Sequence, residues 1–218
     1  MTRPYYQSEG VRLYCGDAKD FVAEAEGAFL LTDPPYGLKI GKQAWHGNNG
    51  TTRLVGNNAW DEATPTALVL DLVSRAEKSV VWGGNFYPLP PSRCWLIWDK
   101  LQANRGAECE MAWTNLDRPP AVFRLSRIDA YVNRAWFKKV HPTEKPVQLS
   151  QWVLNHSRET RKVFDPFCGC GSTLLAARAA GRDVVGVEQN EEWCSEIVKR
   201  LQAPTGAVAP TTPAKETT

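Results

Sequence analysis

The chain has 218 residues, of which 43% are hydrophobic and 23% charged, and its net charge is +2. These values fit one folded domain and exclude a fibrous or wholly disordered protein. Because the sequence has no apolar run of about 18 residues and no apolar leader, it predicts a cytoplasmic protein. Six cysteines and three histidines without zinc-type spacing predict free thiols and no metal site.

Short apolar runs alternate with helical segments along the chain. The predicted strands cover residues 11–14, 28–32, 79–82, 94–98, 163–165 and 184–187. The predicted helices cover residues 20–26, 64–76, 147–155, 172–180 and 191–201. The second helix is expected to have Thr64 as its N-cap and Pro65 at its first position. This alternation predicts a largely parallel sheet with helices on both faces.

Three segments lie outside this pattern. Residues 37–58 are rich in glycine and asparagine and are predicted to form a long mobile loop. Residues from about 101 to 140 are predicted to form irregular strands and turns. Residues 203–218 consist largely of Pro, Thr and Ala without periodicity and are predicted to be a disordered tail. This leaves residues 1–202 as a single domain.

A glycine-containing loop, Asp165-Pro-Phe-Cys-Gly-Cys-Gly-Ser-Thr173, follows a predicted strand and opens a helix. Gly169 and Gly171 permit a tight turn and a close approach of the backbone to a ligand, as in nucleotide-binding units. Glu188 ends the next strand 19 residues after Gly169, a spacing at which an acid can bind ribose hydroxyls. The loop predicts a nucleotide-type cofactor; the alternative is an ordinary turn beside an unrelated acid.

A second loop, Asp33-Pro34-Pro35-Tyr36, also follows an apolar run. The two prolines remove two backbone donors and fix φ, so the Pro34 carbonyl has no ladder partner and can point outward. This carbonyl and the Asp33 carboxylate offer two acceptors, which complement an exocyclic amino group, and Tyr36 offers a flat face for a base. The alternative is a rigid β-turn with a polar cap. In a parallel sheet both loops open at one edge, where ligands bind.

Residues 118–139 form a basic segment with six basic residues and one acidic residue, Asp129. Aromatic residues, among them Phe123 and Trp136, are interleaved with the basic ones. This combination suits a polyanion that also offers stacking surfaces. The alternative is a solvated amphipathic pair of strands.

The motif Asp33-Pro-Pro-Tyr36, together with Phe164-Asp-Pro-Phe-Cys-Gly-Cys-Gly-Ser-Thr173, resembles the amino-group DNA methyltransferases. The order of the two motifs is similar to that of the β class of this family. His141-Pro-Thr-Glu-Lys-Pro-Val-Gln-Leu149 is similar to the segment that precedes the cofactor loop in that class, and Gly16-Asp17 is also similar. Trp98-Asp99-Lys100 resembles a segment of phage-type members.

The resemblance covers roughly residues 10–200 and implies the three-layer αβα fold of the AdoMet-dependent methyltransferases, with a mixed, mostly parallel sheet and a circularly permuted motif order. It implies S-adenosylmethionine as the cofactor. The implied catalytic residues are Asp33, Pro34, Pro35 and Tyr36, of which Asp33 and the Pro34 carbonyl hold the target amine and Tyr36 stacks on the base. The implied cofactor-binding residues are Asp17, His141, Thr143, Lys145, Phe164, Asp165, Pro166, Phe167, Gly169, Gly171, Ser172, Thr173, Glu188 and Gln189.

Within that set the resemblance places Glu188 at the ribose, and Thr143 and Lys145 near the cofactor's carboxylate. The candidate DNA contacts, from the loop and the basic segment, are Trp45, His46, Arg118, Arg124, Arg127, Arg134, Lys138 and Lys139. By the resemblance, residues from about 101 to 140 fill the place of a short target-recognition region.

The resemblance implies transfer of a methyl group to the exocyclic amino group of a base flipped out of double-stranded DNA. Asp33 at the head of its motif favours adenine N6; cytosine N4 is the alternative. Methylation at cytosine C5 is disfavoured because the chain has no Pro-Cys dipeptide for a nucleophile. A non-catalytic DNA-binding module and an RNA substrate are further alternatives. The expected setting is the nucleoid of a prokaryotic or phage system; the sequence leaves open a homodimer and a partner restriction enzyme.

Overall fold

A computed structural model describes residues 2–38, 45–46, 52–53, 64–102, 107–126, 129–130, 144–157 and 160–203. Most of the predicted mobile loop and all but residue 203 of the predicted tail lie outside these ranges. Within the loop, strands β4 (Trp45–His46) and β5 (Thr52–Arg53) pair as a short antiparallel ladder.

One sheet of nine strands dominates the described part of the chain. Its strands are β1 (Tyr6–Ser8), β2 (Val11–Cys15), β3 (Phe29–Thr32), β6 (Lys78–Trp82), β7 (Cys94–Asp99), β8 (Cys109–Thr114), β9 (Ala121–Arg124), β10 (Lys162–Asp165) and β11 (Asp183–Glu188). Their spatial order is β1-β2-β11-β10-β3-β6-β8-β7-β9. The five strands from β2 to β6 in this order run parallel to one another, and β8 runs antiparallel between β6 and β7.

The strands predicted over residues 101–140 include β8 and β9, but the prediction that they are irregular is wrong. Both are regular strands of the main sheet, and β8 pairs with two neighbours. The burial of β8 does not alternate along its length, because the strand is exposed or half-buried at its start and fully buried at its end. Pairing with β6 and β7, rather than local sequence, determines this strand.

The helices flank the sheet. They are a 3₁₀ helix (Ala18–Ala25), α1 (Thr66–Arg75), a short 3₁₀ helix (Gly84–Phe86), α2 (Val147–Leu154), α3 (Ser172–Ala179) and α4 (Glu191–Gln202). The predicted start of α1 is wrong, because Pro65 rather than Thr64 is the N-cap and no side chain caps the helix. The Thr64 hydroxyl instead lies 3.1 Å from that of Thr66.

None of the described helices is long and apolar enough to cross a membrane.

Alternate residues of β3 contribute to cores on opposite faces of the sheet. Phe29 and Leu31 belong to the core that also contains residues of α2, α3 and α4. Leu30 belongs to the core formed with the first 3₁₀ helix and α1. The predicted sheet with helices on both faces, and the three-layer αβα fold, are confirmed.

Strands β3 and β10 are parallel neighbours, with Val163 opposite Phe29 and Phe164 opposite Leu30. Their carboxyl ends therefore reach the same edge of the sheet, and so do the two loops that follow them. This confirms the expected meeting of the two loops and places any chemistry at that edge.

Candidate active site and cofactor cavity

A cavity of about 270 Å³ opens at the carboxyl edge of the parallel strands. Its walls come from the segments that follow four of these strands: Gly16–Ala18 after β2, Asp33 after β3, Pro166–Cys170 after β10 and Gln189 after β11. Trp82 and Lys145 line it as well. The two loops singled out in the sequence thus share one cavity.

The glycine loop turns sharply where it lines this cavity. Gly169 and Gly171 have φ values of +52° and +80°, in the left-handed region that favours glycine. A Cβ at Gly169 would meet no atom within 4 Å, whereas one at Gly171 would lie 3.0 Å from Ile197. Gly169 therefore leaves room beside the cavity, while Gly171 allows α3 to start close against α4.

Glu188, the last residue of β11, is held by the backbone. The Gly169 amide donates to its Oε2 and the Asn190 amide to its Oε1, each at 2.9 Å. Burial raises the pKa of Glu188 to about 7, against the opposing effect of these amides. The result is an oriented carboxylate in the cavity wall with lone pairs left for ligand hydroxyls.

Asp165 ties the two loops together. The Thr32 hydroxyl, at the end of β3, donates to Asp165 Oδ1 at 2.9 Å, and the Phe167 amide donates to the same oxygen at 3.2 Å. Burial raises the pKa of Asp165 to about 6. A change in either loop is therefore transmitted directly to the other.

The Asp33 carboxylate accepts on both oxygens, from the Tyr36 hydroxyl at Oδ1 and from the Lys145 ammonium at Oδ2. The Tyr87 hydroxyl donates to the Pro35 carbonyl. Among the described residues, none donates to the Pro34 carbonyl.

The Tyr36 ring is packed closely. Phe86 stacks on it with ring centroids 4.9 Å apart and an interplanar angle of 16°. Gly83, with φ +64°, lies so near that a Cβ there would overlap the Tyr36 ring. Phe86 itself is 42% exposed. The glycine turn after β6 thus sets the position of the tyrosine.

Lys145 links Asp33 to a second acid. Its ammonium lies 3.1 Å from Glu110 Oε2, and the Lys100 ammonium lies 2.8 Å from Glu110 Oε1. Burial opposes the charge of Glu110, but Lys145 and Lys100 outweigh it and lower the pKa of Glu110 to about 2. Burial likewise opposes the charge of Lys145, but Asp33 and Glu110 outweigh it and raise its pKa well above the ordinary value.

The structure brings most of the predicted cofactor and catalytic residues together. Those that line the cavity are Asp17, Asp33, Pro35, Lys145, Asp165, Pro166, Phe167, Gly169, Ser172, Thr173, Glu188 and Gln189. Phe164 does not line it, because its side chain is fully buried in the core with Leu30 and Leu72. His141 and Thr143 lie outside the described residues.

The candidate DNA contacts are only partly placed. Arg124 ends β9 at the carboxyl edge, with its side chain 64% exposed and its Nε 3.5 Å from Asp99. Arg118, another candidate, precedes β9 and lies at the opposite edge of the sheet, where its guanidinium contacts His156. Trp45 and His46 form β4. The remaining four, Arg127, Arg134, Lys138 and Lys139, lie outside the described residues.

Sequence reasoning missed several residues of the site. Glu110 carries no motif, and its contact with Lys145 depends on the antiparallel insertion of β8. Lys100 belongs to the Trp98-Asp99-Lys100 segment, but nothing in that segment indicates its ion pair with Glu110. Trp193 lines the cavity from the first turn of α4. Trp193 could have been found from the sequence. It follows Glu188, the end of the strand, by five residues, and Asn190 between them is a typical N-cap that places Trp193 in the first turn of the helix.

We expect the stability of the ligand-free protein to fall as the pH rises from about 4.5 to 7. In this range folded Glu188 keeps a proton that the unfolded chain releases, so unfolding is favoured by rising pH. A shift of this size costs about 3 kcal/mol above pH 7. Glu188→Gln should therefore flatten the decrease of Tm between pH 5 and pH 8 in thermal melts. Exposed Glu192→Gln is the control, and an equal slope in wild type and Glu188→Gln would contradict the assignment.

Comparison with known proteins gives a consistent family. The model of a family described as DNA methylase matches residues 73–199. The type II methyltransferase M.ScaI of Streptomyces caespitosus is 22% identical over 264 residues, covering 93% of this chain and 85% of the relative. The type II methyltransferase M.HinfI of Haemophilus influenzae is 38% identical over 66 residues, 30% of this chain. The chain spans only 18% of M.HinfI in that alignment.

Solved structures share the fold. The PvuII DNA methyltransferase, described as cytosine-N4-specific, has a TM-score of 0.61 at 13% identity, covering 95% of this chain and 91% of that one. The complex of M1.HpyAVI with SAM has a TM-score of 0.54 at 17% identity, covering 87% and 99%. The family model covers more than half of the chain, and the fold is that of its methyltransferase neighbours. This chain belongs to the DNA methylase family, the amino-group DNA methyltransferases.

Proposed function

We propose that this protein transfers a methyl group from S-adenosylmethionine to the exocyclic amino group of a base in double-stranded DNA, with adenine N6 as the favoured target. The observation that carries the proposal is the meeting of two features at one sheet edge. Asp33 and the Pro34 carbonyl, to which none of the described residues donates, form a pair of acceptors for an amino group. The cavity beside them contains the oriented Glu188 carboxylate and the open space at Gly169.

The residues of the cavity fit the cofactor. Glu188, fixed by two backbone amides, can accept from the two hydroxyls of a ribose, and Phe167 and Trp193 provide apolar walls. Gly169 leaves space for close approach of the ligand to the backbone. When bound, S-adenosylmethionine supplies a methyl group on a sulfonium centre, which is open to attack by a nucleophile.

The catalytic loop has to activate a poor nucleophile, because the lone pair of an exocyclic amine is conjugated with the ring. Acceptors on both amine hydrogens favour a pyramidal nitrogen and stabilise the positive charge that develops on attack. Asp33 and the Pro34 carbonyl can supply both acceptors, and Tyr36 holds the carboxylate in place. The same pair suits the N4 amine of cytosine, which stays the alternative target.

The base has to leave the duplex before it can reach Asp33. A base that stacks on the Tyr36 face now covered by Phe86 has to displace Phe86, which is 42% exposed. We retain Arg124, the β4 residues Trp45 and His46, and the four basic-segment residues outside the described ranges as DNA contacts, and we drop Arg118. Residues 1–202 are proposed to act as one methyltransferase domain.

The decisive experiment is methyl transfer from labelled S-adenosylmethionine to unmethylated genomic DNA, followed by mass spectrometry of the nucleosides. We expect N6-methyladenine. N4-methylcytosine would keep the mechanism and change the target. Binding of S-adenosylmethionine without any methylated DNA base would overturn the proposed DNA substrate, and absence of binding would point to a non-catalytic module.

Asp33→Ala is expected to reduce methyl transfer by at least about a hundredfold, because it removes one of the two acceptors. Cofactor affinity measured by calorimetry should survive, since Lys145 keeps Glu110 as a partner and the glycine loop is untouched. Asp117→Ala, at an exposed acid paired with Arg93, is the control. Loss of cofactor binding in Asp33→Ala would refute the division of roles between the two loops.

Gly83→Ala should reduce methyl transfer by about a hundredfold, because the added methyl would displace the Tyr36 ring. Gly181→Ala is a matched control with φ +66° and no atom within 4 Å of its Cβ. Both variants should lose about 1 kcal/mol from the strained backbone. Equal activities in the two variants, measured with the labelled-methyl assay, would show that Tyr36 needs no fixed position.

A further inference from the structure

Four charged side chains alternate in sign along one wall of the site: Asp33, Lys145, Glu110 and Lys100. The Lys145 ammonium contacts Asp33 Oδ2 and lies 3.1 Å from Glu110, which in turn lies 2.8 Å from the Lys100 ammonium. The side chains of Lys145 and Lys100 are only 10% and 8% exposed. Neither ammonium is a solvated surface charge, so their placement acts directly on the two acids.

Lys145 is held in this position by its backbone as well. The Ser172 hydroxyl, at the start of α3, donates to the Lys145 carbonyl at 2.7 Å. The preceding residue, Glu144, forms a fully buried ion pair with Arg200 of α4 at 3.2 Å. The segment that carries Lys145 is therefore anchored to the helix after the glycine loop, and its ammonium does not depend on Glu110 alone for its position.

Asp33 needs a positive neighbour to stay charged. Burial raises its pKa, Glu110 adds to this effect, and Lys145 and the Tyr36 hydroxyl oppose it. The Asp165 carboxylate at the end of β10 is a further negative charge near Asp33, and the two carboxylates repel each other. Among the described residues, the one ammonium in contact with Asp33 is that of Lys145. A protonated Asp33 would offer a donor where the target amine needs an acceptor.

We propose that Lys145 is a positioning residue whose ammonium keeps Asp33 ionised and oriented for the target amine, and that Glu110 moderates this pairing. This inference rests on the proposed function and deepens it. It differs from the contact with the cofactor's carboxylate that the resemblance implied for Lys145. Each Asp33 oxygen retains a further lone pair, so the contacts of Lys145 and Tyr36 leave room for the amine.

The test is the pH profile of kcat/KM for DNA, measured at saturating S-adenosylmethionine. Because the cofactor site is then filled at every pH, the titration of Glu188 and Asp165 in an empty cavity does not affect the profile. Activity should fall on the acid side of this profile as Asp33 becomes protonated, and we call this part of the profile the acid limb. Lys145→Met should shift the acid limb to higher pH by about one to three units, since it removes the opposite charge beside Asp33. Glu110→Gln should move the limb downward by a smaller amount, because it removes a like charge and Lys145 stays anchored. Opposite shifts are not expected from a general loss of structure.

The controls separate charge from folding. Lys145→Arg keeps the charge and should return the acid limb toward its wild-type position. Glu24→Gln removes an acid that likewise bridges two cations, Arg12 at 3.2 Å and Lys162 at 3.0 Å, far from the cavity. It should leave the profile unchanged. Calorimetry should show unchanged cofactor affinity in Lys145→Met, which also establishes that this variant is folded.

Three results would overturn the inference. They are loss of cofactor binding in Lys145→Met with an unmoved acid limb, shifts in the same direction for Lys145→Met and Glu110→Gln, or no shift in either. If Lys145→Met does not fold, the pH profiles of Lys145→Gln and Glu110→Gln provide the test instead. A wild-type protein that methylates no DNA at any pH would instead refute the proposed function, so the two failures are distinguishable.

Discussion

The hydrogen bond from Thr32 to Asp165 is the contact on which the site depends. It joins the ends of β3 and β10, the two strands that carry the catalytic loop and the glycine loop, at 2.9 Å. Parallel pairing brings both ends to one edge, but only a fixed contact sets the distance between the two loops, and so between the amine proposed to bind at Asp33 and the cofactor proposed to bind near Gly169. Methyl transfer needs such fixed positioning more than any strongly reactive side chain.

Burial of charge is the second constraint, and it acts in opposite ways on the two sides of the cavity. On the cofactor side, backbone amides hold Glu188, and a hydroxyl and a backbone amide hold Asp165, while none of the described residues forms an ion pair with either acid. Burial therefore raises their pKa values to about 7 and about 6. On the catalytic side, Asp33 and Glu110 are balanced by Lys145 and Lys100. The first arrangement suits uncharged ribose hydroxyls; the second suits an amine that becomes positive as it reacts.

Much of this fold could be predicted from the sequence, because five buried parallel strands and four α-helices carry strong local patterns. The meeting of Asp33 and Asp165 followed from the rule that parallel strands open ligand sites at their carboxyl ends. Phe164 belongs to the motif of the glycine loop, but its side chain points from the strand into the core, one residue before the loop turns toward the cavity. The position of Arg118 could not be predicted, because a run of basic residues does not show which edge of a sheet each residue reaches.

Glu110 shows most clearly where sequence reasoning ended. A search of strand ends finds residues at the carboxyl ends of parallel strands, but β8 runs antiparallel, so its beginning lies at the site. Trp82 pairs with Ala112, and Glu110 lies two residues beyond that pair, past the end of β6. No local pattern marks Glu110, since its contacts with Lys145 and Lys100 come from distant parts of the chain. The reversal of one strand thus decides which acid faces the lysine beside Asp33.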